Sequence, residues 1–194
     1  MIIYPKKIGL KDGTPVIIRP ADSDDIEGLM EFFSRIPKKD LLIFKDDVTK
    51  RENIQSWFPC SKYKKCLQLI ALRDDEIVSK GMLHQEGLYW QDAAELKLIV
   101  APDYRGRGLG SQMFKILLTE GLTLNLRKII TRFAPNNKSF IRVLEHYGFK
   151  PETVLRSYSN GGNNGGYQDL MIASFNLEDW EGRFEVYSQI YGTK

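Results

Sequence analysis

The chain has 194 residues, of which 42% are apolar and 27% charged, and carries a net charge of +3. That size and mixture fit one globular domain with a substantial core, and exclude a disordered or collagen-like chain. Lysine and arginine are spread along the sequence, and no apolar run approaches the roughly 20 residues of a bilayer crossing. Neither a nucleic acid nor a membrane is therefore expected as partner.

In chain order, "MIIYPKKIGLKDG" holds too short an apolar run for a signal peptide, which makes a cytoplasmic protein the expectation. "TPVIIRPA" (14–21) reads as a strand closed by Pro20. In "ADSDDIEGLMEFFSRI", Asp22 or Ser23 can cap a helix whose Ile26, Leu29, Met30 and Phe33 fall on one face. A short second helix is expected around Ile54, Trp57 and Phe58, ended by Pro59. Cys60 and Cys66 fit neither a CxxC pair nor a metal knuckle and read as two ordinary thiols. "CLQLIALRDDEIVSKGMLHQEG" predicts a β-hairpin turning at Asp74 and Asp75, and "AELKLIV" a further strand. His84 and His146 have no second ligand at metal spacing, so no metal is expected.

Beyond "AELKLIV", Leu109, Met113, Ile116 and Leu117 mark a helix that Gly121 is expected to end. "RKIITRFA" predicts a strand and "NNKSFIRVLEHYGF" a helix closed by Gly148. The strands "ETVLRSYS" and "YQDLMIASF" are joined by the glycine- and asparagine-rich loop 160–166, a lid over an acceptor or a mobile surface loop. A last amphipathic helix is expected over about 178–192. No internal repeat is found. The order implies a mixed sheet with helices on its faces, in a single domain over 1–194 with a core of about 14–177.

The informative stretch is "LKLIVAPDYRGRGLGSQMFKILL". Glycines between a strand and a helix expose backbone N–H groups to an anion, which the helix dipole also favours. Arg105 and Arg107 add positive charge. A P-loop would need a Gly-Lys-Ser/Thr ending, and "RGRGLGSQ" has no such lysine. A dinucleotide fingerprint would need a glycine where Ser111 stands, and no acidic residue closes the next strand.

A third pattern fits. Arg105-Gly106-Arg107-Gly108-Leu109-Gly110 resembles the Arg/Gln-x-x-Gly-x-Gly/Ala loop of the GNAT superfamily of N-acetyltransferases. "NKSFIRVLEHYGF" is similar to that family's second motif, anchored by Asn137, Gly148 and Phe149. "VIIRPADSDDIEGLMEFFSRI" resembles its first strand and helix, so the likeness runs over roughly 14–177. It is nearest to the branch that includes bacterial protein-lysine acetyltransferase domains.

The resemblance implies a mostly antiparallel central sheet of six to seven strands flanked by helices. It implies acetyl-CoA as the cofactor, with CoA as product and no metal. The pyrophosphate would lie on the amides from Gly106 to Ser111, and Arg105, Arg107 and Leu109 belong to the same loop. The pantetheine arm would pair with Leu98, Ile99 and Val100, and Asn137 would hydrogen-bond it. The implied function is acetyl transfer to a primary amine of a small molecule or protein by direct attack. Val100 N–H would be the oxyanion donor and Glu95 the general base, the alternative for Glu95 being a solvent-facing strand residue. The family's usual tyrosine acid is replaced by Leu144, and Tyr147 is expected to pack inward. That departure keeps open an acyl-CoA-binding sensor without turnover, beside nucleotide binding through a variant P-loop. The acceptor is an amine-bearing molecule, and the protein a monomer or homodimer.

Overall fold

The chain opens with two extended segments that pair before any helix forms. β1 (Lys6–Gly9) runs antiparallel to β2 (Pro15–Pro20), with Lys6 opposite Ile18. Asp22 then caps a 3-10 turn over Ser23–Asp25: its side chain accepts from Asp24 N–H, and Asp25 accepts from Asp22 N–H, at 2.9 Å each. Asp25 also forks onto the Arg19 guanidinium at 2.6 and 2.7 Å. Out of this capped start comes α1 (Ile26–Ser34), burying Ile26, Leu29, Phe32 and Phe33. A 3-10 segment over Lys38–Ile43 and the short α2 (Arg51–Gln55) follow.

The computed structural model describes residues 2–44, 46–58, 66–85, 92–160 and 166–179. The glycine-rich segment 161–165 and the helix expected beyond 179 lie outside the described residues, as does Cys60. Cys66 is disulfide-bonded, which corrects the expectation of an ordinary thiol. The spacing of the two cysteines excluded a metal knuckle and a CxxC pair, but it never argued against a disulfide.

β3 (Cys66–Arg73) and β4 (Glu76–Gln85) form the expected hairpin. Asp74 and Asp75 sit at its turn with φ of +48° and +64°, the mirror-image turn that matches strand twist. β5 (Ala93–Val100) pairs antiparallel with β4. α3 (Leu109–Thr123), β6 (Lys128–Phe133), α4 (Lys138–Tyr147), β7 (Lys150–Asn160) and β8 (Tyr167–Asn176) complete the order. The eight strands among the described residues form one sheet, β1-β2-β3-β4-β5-β6-β8-β7, in which β5 and β6 are the parallel pair. One strand more than the expected six to seven is present, and it is β1.

Each face of the sheet carries its own core. Leu109, Met113, Phe114, Leu117 and Leu144 from α3 and α4 pack on one face with Leu96, Ile129 and Phe175. Leu29, Phe32, Phe33 and Ile54 from α1 and α2 pack on the other with Ile70, Met82 and Ile99. α3 does not end at Gly121. A Cβ there would meet Ile129 at 3.1 Å and Leu177 at 3.2 Å, so this glycine marks a close approach of the helix to the sheet. No helix among the described residues is long and apolar enough to cross a membrane.

Candidate functional site

β5 and β6 are register partners only over Ala93–Glu95 and Lys128–Ile130, and then diverge. The parallel neighbour that Leu96 to Val100 would otherwise have is gone. Hydrogen-bond parity decides which groups face the gap. Ala101 N–H donates to Val78 O at 2.9 Å, so in this unbroken antiparallel register Ile99 and Lys97 also turn their main chain toward β4. Leu98 and Val100 therefore point theirs toward the opening between β5 and β6. Val100 O is taken by Arg105 Nε at 3.0 Å, while its N–H remains directed at the gap. Ile99 lines the gap through its side chain only.

The gap is the throat of a cleft of about 840 Å³. Its walls include Leu98–Val100, Gly106, Gly108, Gly110 and Ser111 on one side, and Thr131–Ala134 and Asn137 on the other. Gly106 and Gly108 hold φ of +75° and +89°, a left-handed region that glycine enters at no steric cost. A Cβ on Gly108 would also press on the Lys11 side chain at 3.3 Å. No side chain caps α3, and its first helical bond runs from Gln112 N–H to Gly108 O at 3.1 Å. The N–H groups of Leu109, Gly110 and Ser111 thus have no intrahelical acceptor, and they lie at the positive end of a 15-residue helix. An anion fits there.

Arg105 and Arg107 act on the loop itself. Arg105 bridges Val100 O and Asp40 Oδ2, the latter at 2.8 Å, tying the loop to the Lys38–Ile43 segment. Arg107 pairs with Asp12 at 3.2 Å and covers the Tyr104 ring at 5.3 Å. Asn137 caps α4, its Oδ1 accepting from Phe140 N–H at 3.1 Å, and it lines the cleft, with Nδ2 not used by the cap.

Tyr147 packs inward as expected, 5.2 Å from the Phe114 ring, and burial raises its hydroxyl above the usual phenol range. That hydroxyl reaches Ser111 O at 3.5 Å. Leu144 is buried in the core. Glu95 lies behind the cleft wall rather than on it. Its side chain is 1% exposed, with Oε2 2.7 Å from Arg132 Nη1 and 3.6 Å from Lys97 Nζ.

Lys97 and Arg132 themselves line the cleft, and neither is among the site residues expected from the sequence. A signal was present: Glu95 and Lys97 alternate within the apolar "AELKLIV", which places both charges on one face of a strand. Only the fold shows that this face is covered.

Residues 16–150 match the acetyltransferase (GNAT) domain, and the chain belongs to that family. Solved structures agree on the fold. The GNAT domain of PAT from S. lividans superposes with a TM-score of 0.70 at 18% identity, covering 88% of this chain and 96% of its own. yncA from Salmonella typhimurium, solved with its cofactor acetyl-CoA, gives 0.69 at 18% identity over 84% and 94%. The spermidine/spermine N-acetyltransferase SpeG from Vibrio cholerae gives 0.68 at 18% identity over 87% and 98%. No curated protein sequence matches the chain.

Proposed function

We propose that the protein transfers the acetyl group of acetyl-CoA to a primary amine. The observation that carries this reading is the divergence of β5 from β6, which aims the main chain of Leu98 and Val100 into a cleft ending at the uncapped amides of α3. Acetyl-CoA supplies a thioester, an acyl group already activated toward an amine. Leu98 pairs with the pantetheine as a neighbouring strand would, whereas the Val100 carbonyl is already taken by Arg105. Val100 N–H stabilises the developing oxyanion. Asn137 Nδ2 donates to the pantetheine, and the loop from Arg105 through Gly106, Arg107, Gly108, Leu109 and Gly110 to Ser111 cradles the phosphates.

Glu95 enters the proposal as the carboxylate that neutralises Arg132 and Lys97. As a base it would work through water and only after Arg132 released it. The proposal keeps a cytoplasmic setting and a monomer or homodimer. The disulfide at Cys66 is the one observation pulling against that compartment.

The test is release of free thiol from acetyl-CoA with a panel of primary amines. Amine-dependent release is expected; none with any amine would reject turnover and favour the second reading, an acyl-CoA-binding module. Two observations favour that alternative: Leu144 is buried where the family carries a tyrosine acid, and Glu95 is engaged in ion pairs. In an active enzyme, Glu95→Gln is expected to lower kcat and leave CoA affinity unchanged. Wild-type rates would remove Glu95 from the mechanism.

A further inference from the structure

The two arginines that the sequence offers to the glycine loop are engaged within the protein. Arg105 holds Asp40 and Val100 O. Arg107 pairs with Asp12, covers the Tyr104 ring, and lines a separate depression with Arg35 and Glu76 rather than the cleft. At the loop, the cation that lines the cleft without such a tie has a different origin. It is Lys11, from the turn between β1 and β2, far from the loop in sequence.

That turn is fastened to the loop through backbone and side chains. Lys11 N–H donates to Arg107 O at 3.0 Å, and Gln112 Nε2 donates to Gly9 O at 2.9 Å. Asp12 works in two directions. Its Oδ1 accepts from Thr14 N–H at 3.0 Å within the turn, and its Oδ2 lies 3.2 Å from Arg107 Nη1. The Lys11 stem then lies across Gly108: a Cβ there would meet Cγ at 3.3 Å, Cε at 3.5 Å and Cδ at 3.7 Å. Nζ is one bond beyond Cε, so a stem in this position keeps the ammonium at the loop. The neighbouring carboxylate, Asp12, is taken by Arg107, and Lys11 makes no ion pair among the described residues. An ammonium beside the uncapped amides of Leu109, Gly110 and Ser111 complements a phosphate bound by those amides.

We infer that Lys11 is the side-chain cation that holds the CoA pyrophosphate, and that Arg107 is a positioning residue that fixes the turn carrying it. This rests on the acetyl-CoA reading and adds a residue to its site. The α3 amides hydrogen-bond the pyrophosphate oxygens, and the ammonium closes over them from the β1 side. The 3′-phosphate lies a ribose away, beyond a stem laid on Gly108. The β1–β2 hairpin thereby gains a task in the site, since its turn delivers the cation that the loop's own arginines do not.

The test measures acetyl-CoA and its 3′-dephospho analogue by calorimetry, independent of turnover. Lys11 is exposed, so its replacement leaves the core intact. Lys11→Met keeps the stem on Gly108 and loses the charge. It is expected to weaken both ligands about five- to tenfold and to flatten the salt dependence of binding, while the melt of the ligand-free protein stays unchanged. Lys11→Arg is expected to recover most of the loss. Arg107→Gln combined with Asp12→Asn removes a cation and its counter-ion together. A smaller loss than in Lys11→Met is expected there, with the salt dependence kept.

Wild-type affinity and salt dependence in Lys11→Met would overturn the inference. So would a loss confined to acetyl-CoA, which would move Lys11 to the 3′-phosphate, or a larger loss in the combined Arg107 and Asp12 variant. A wild-type protein that binds neither ligand would take the acetyl-CoA reading down as well. A wild type that binds both, matched by Lys11→Met, would remove Lys11 alone, so the two ideas fail in distinguishable ways.

Discussion

At the scale of single residues, Lys80 on β4 is among the most buried of the charged side chains that the structure describes, 1% exposed. Its Nζ donates to Gln68 Oε1 at 2.6 Å and lies 5.7 Å from the Trp57 ring centroid, while Gln68 Nε2 donates to Trp57 O at 2.8 Å. Burial pulls the ammonium down from 10.5 to about 7, partly opposed by attraction to Asp25. The folded pKa is thus below the unfolded one, so between those values the unfolded chain binds the proton that the folded chain has released. Stability therefore rises with pH across that window, by at most about 1.4 kcal/mol per pH unit, and is independent of this group below it. Lys80→Met is expected to remove that slope, read as the difference between wild-type and variant urea midpoints at pH 7, 8 and 9. Parallel curves would mean that Lys80 stays charged in the fold. This lysine was unreadable beforehand, because "EIVSKGMLHQ" places it where a solvent-facing strand residue would stand.

At the scale of elements, the glycine loop and both ends of α4 were legible because their cues are local. Asn137 caps α4 and Gly148 closes it, with Phe149 N–H donating to Leu144 O at 2.9 Å, all within a dozen residues of sequence. The splay of β5 from β6 was not readable from the residues alone. It depends on where parallel pairing stops between segments some 30 residues apart, and came only through family resemblance. Nor could Gly121 reveal its role, since a close approach to Ile129 and Leu177 looks like a helix terminator in sequence. Asn137 carries two jobs in the proposal, and they can be separated. Asn137→Asp keeps the capping oxygen and loses the donor, so stability should hold while CoA affinity falls about tenfold. Asn137→Ala loses both and should also cost about 1 kcal/mol of stability. Equal affinity of wild type and Asn137→Asp for CoA, by calorimetry, would restrict Asn137 to capping.

For the whole molecule, helix and strand order gave the mixed sheet, and the strand it lacked is explicable. β1 is four residues long with two lysines, a pattern that suits a sheet edge resisting further pairing but gives no hydrophobic alternation to read. The two cores on opposite faces leave the β5–β6 cleft as a gap through the middle of the sheet, which a cofactor lying in it would close. Binding there should therefore stabilise the entire fold. At about a hundred times the dissociation constant, ligand linkage adds roughly 2.7 kcal/mol, or about 5–10 °C in Tm for a domain of this size. Acetyl-CoA and CoA are expected to give shifts of that order in parallel melts, because both present the pantetheine and pyrophosphate to Leu98, Val100 and the α3 amides. ATP lacks the pantetheine arm and should give clearly less. Gly108→Asp forces a side chain into a left-handed backbone position beside Lys11 and sets a carboxylate against the phosphates, so its melt should not respond to CoA. A response to ATP equal to that of CoA would return the loop to the nucleotide binders. An unchanged CoA response in Gly108→Asp would mean that the loop does not hold the pyrophosphate.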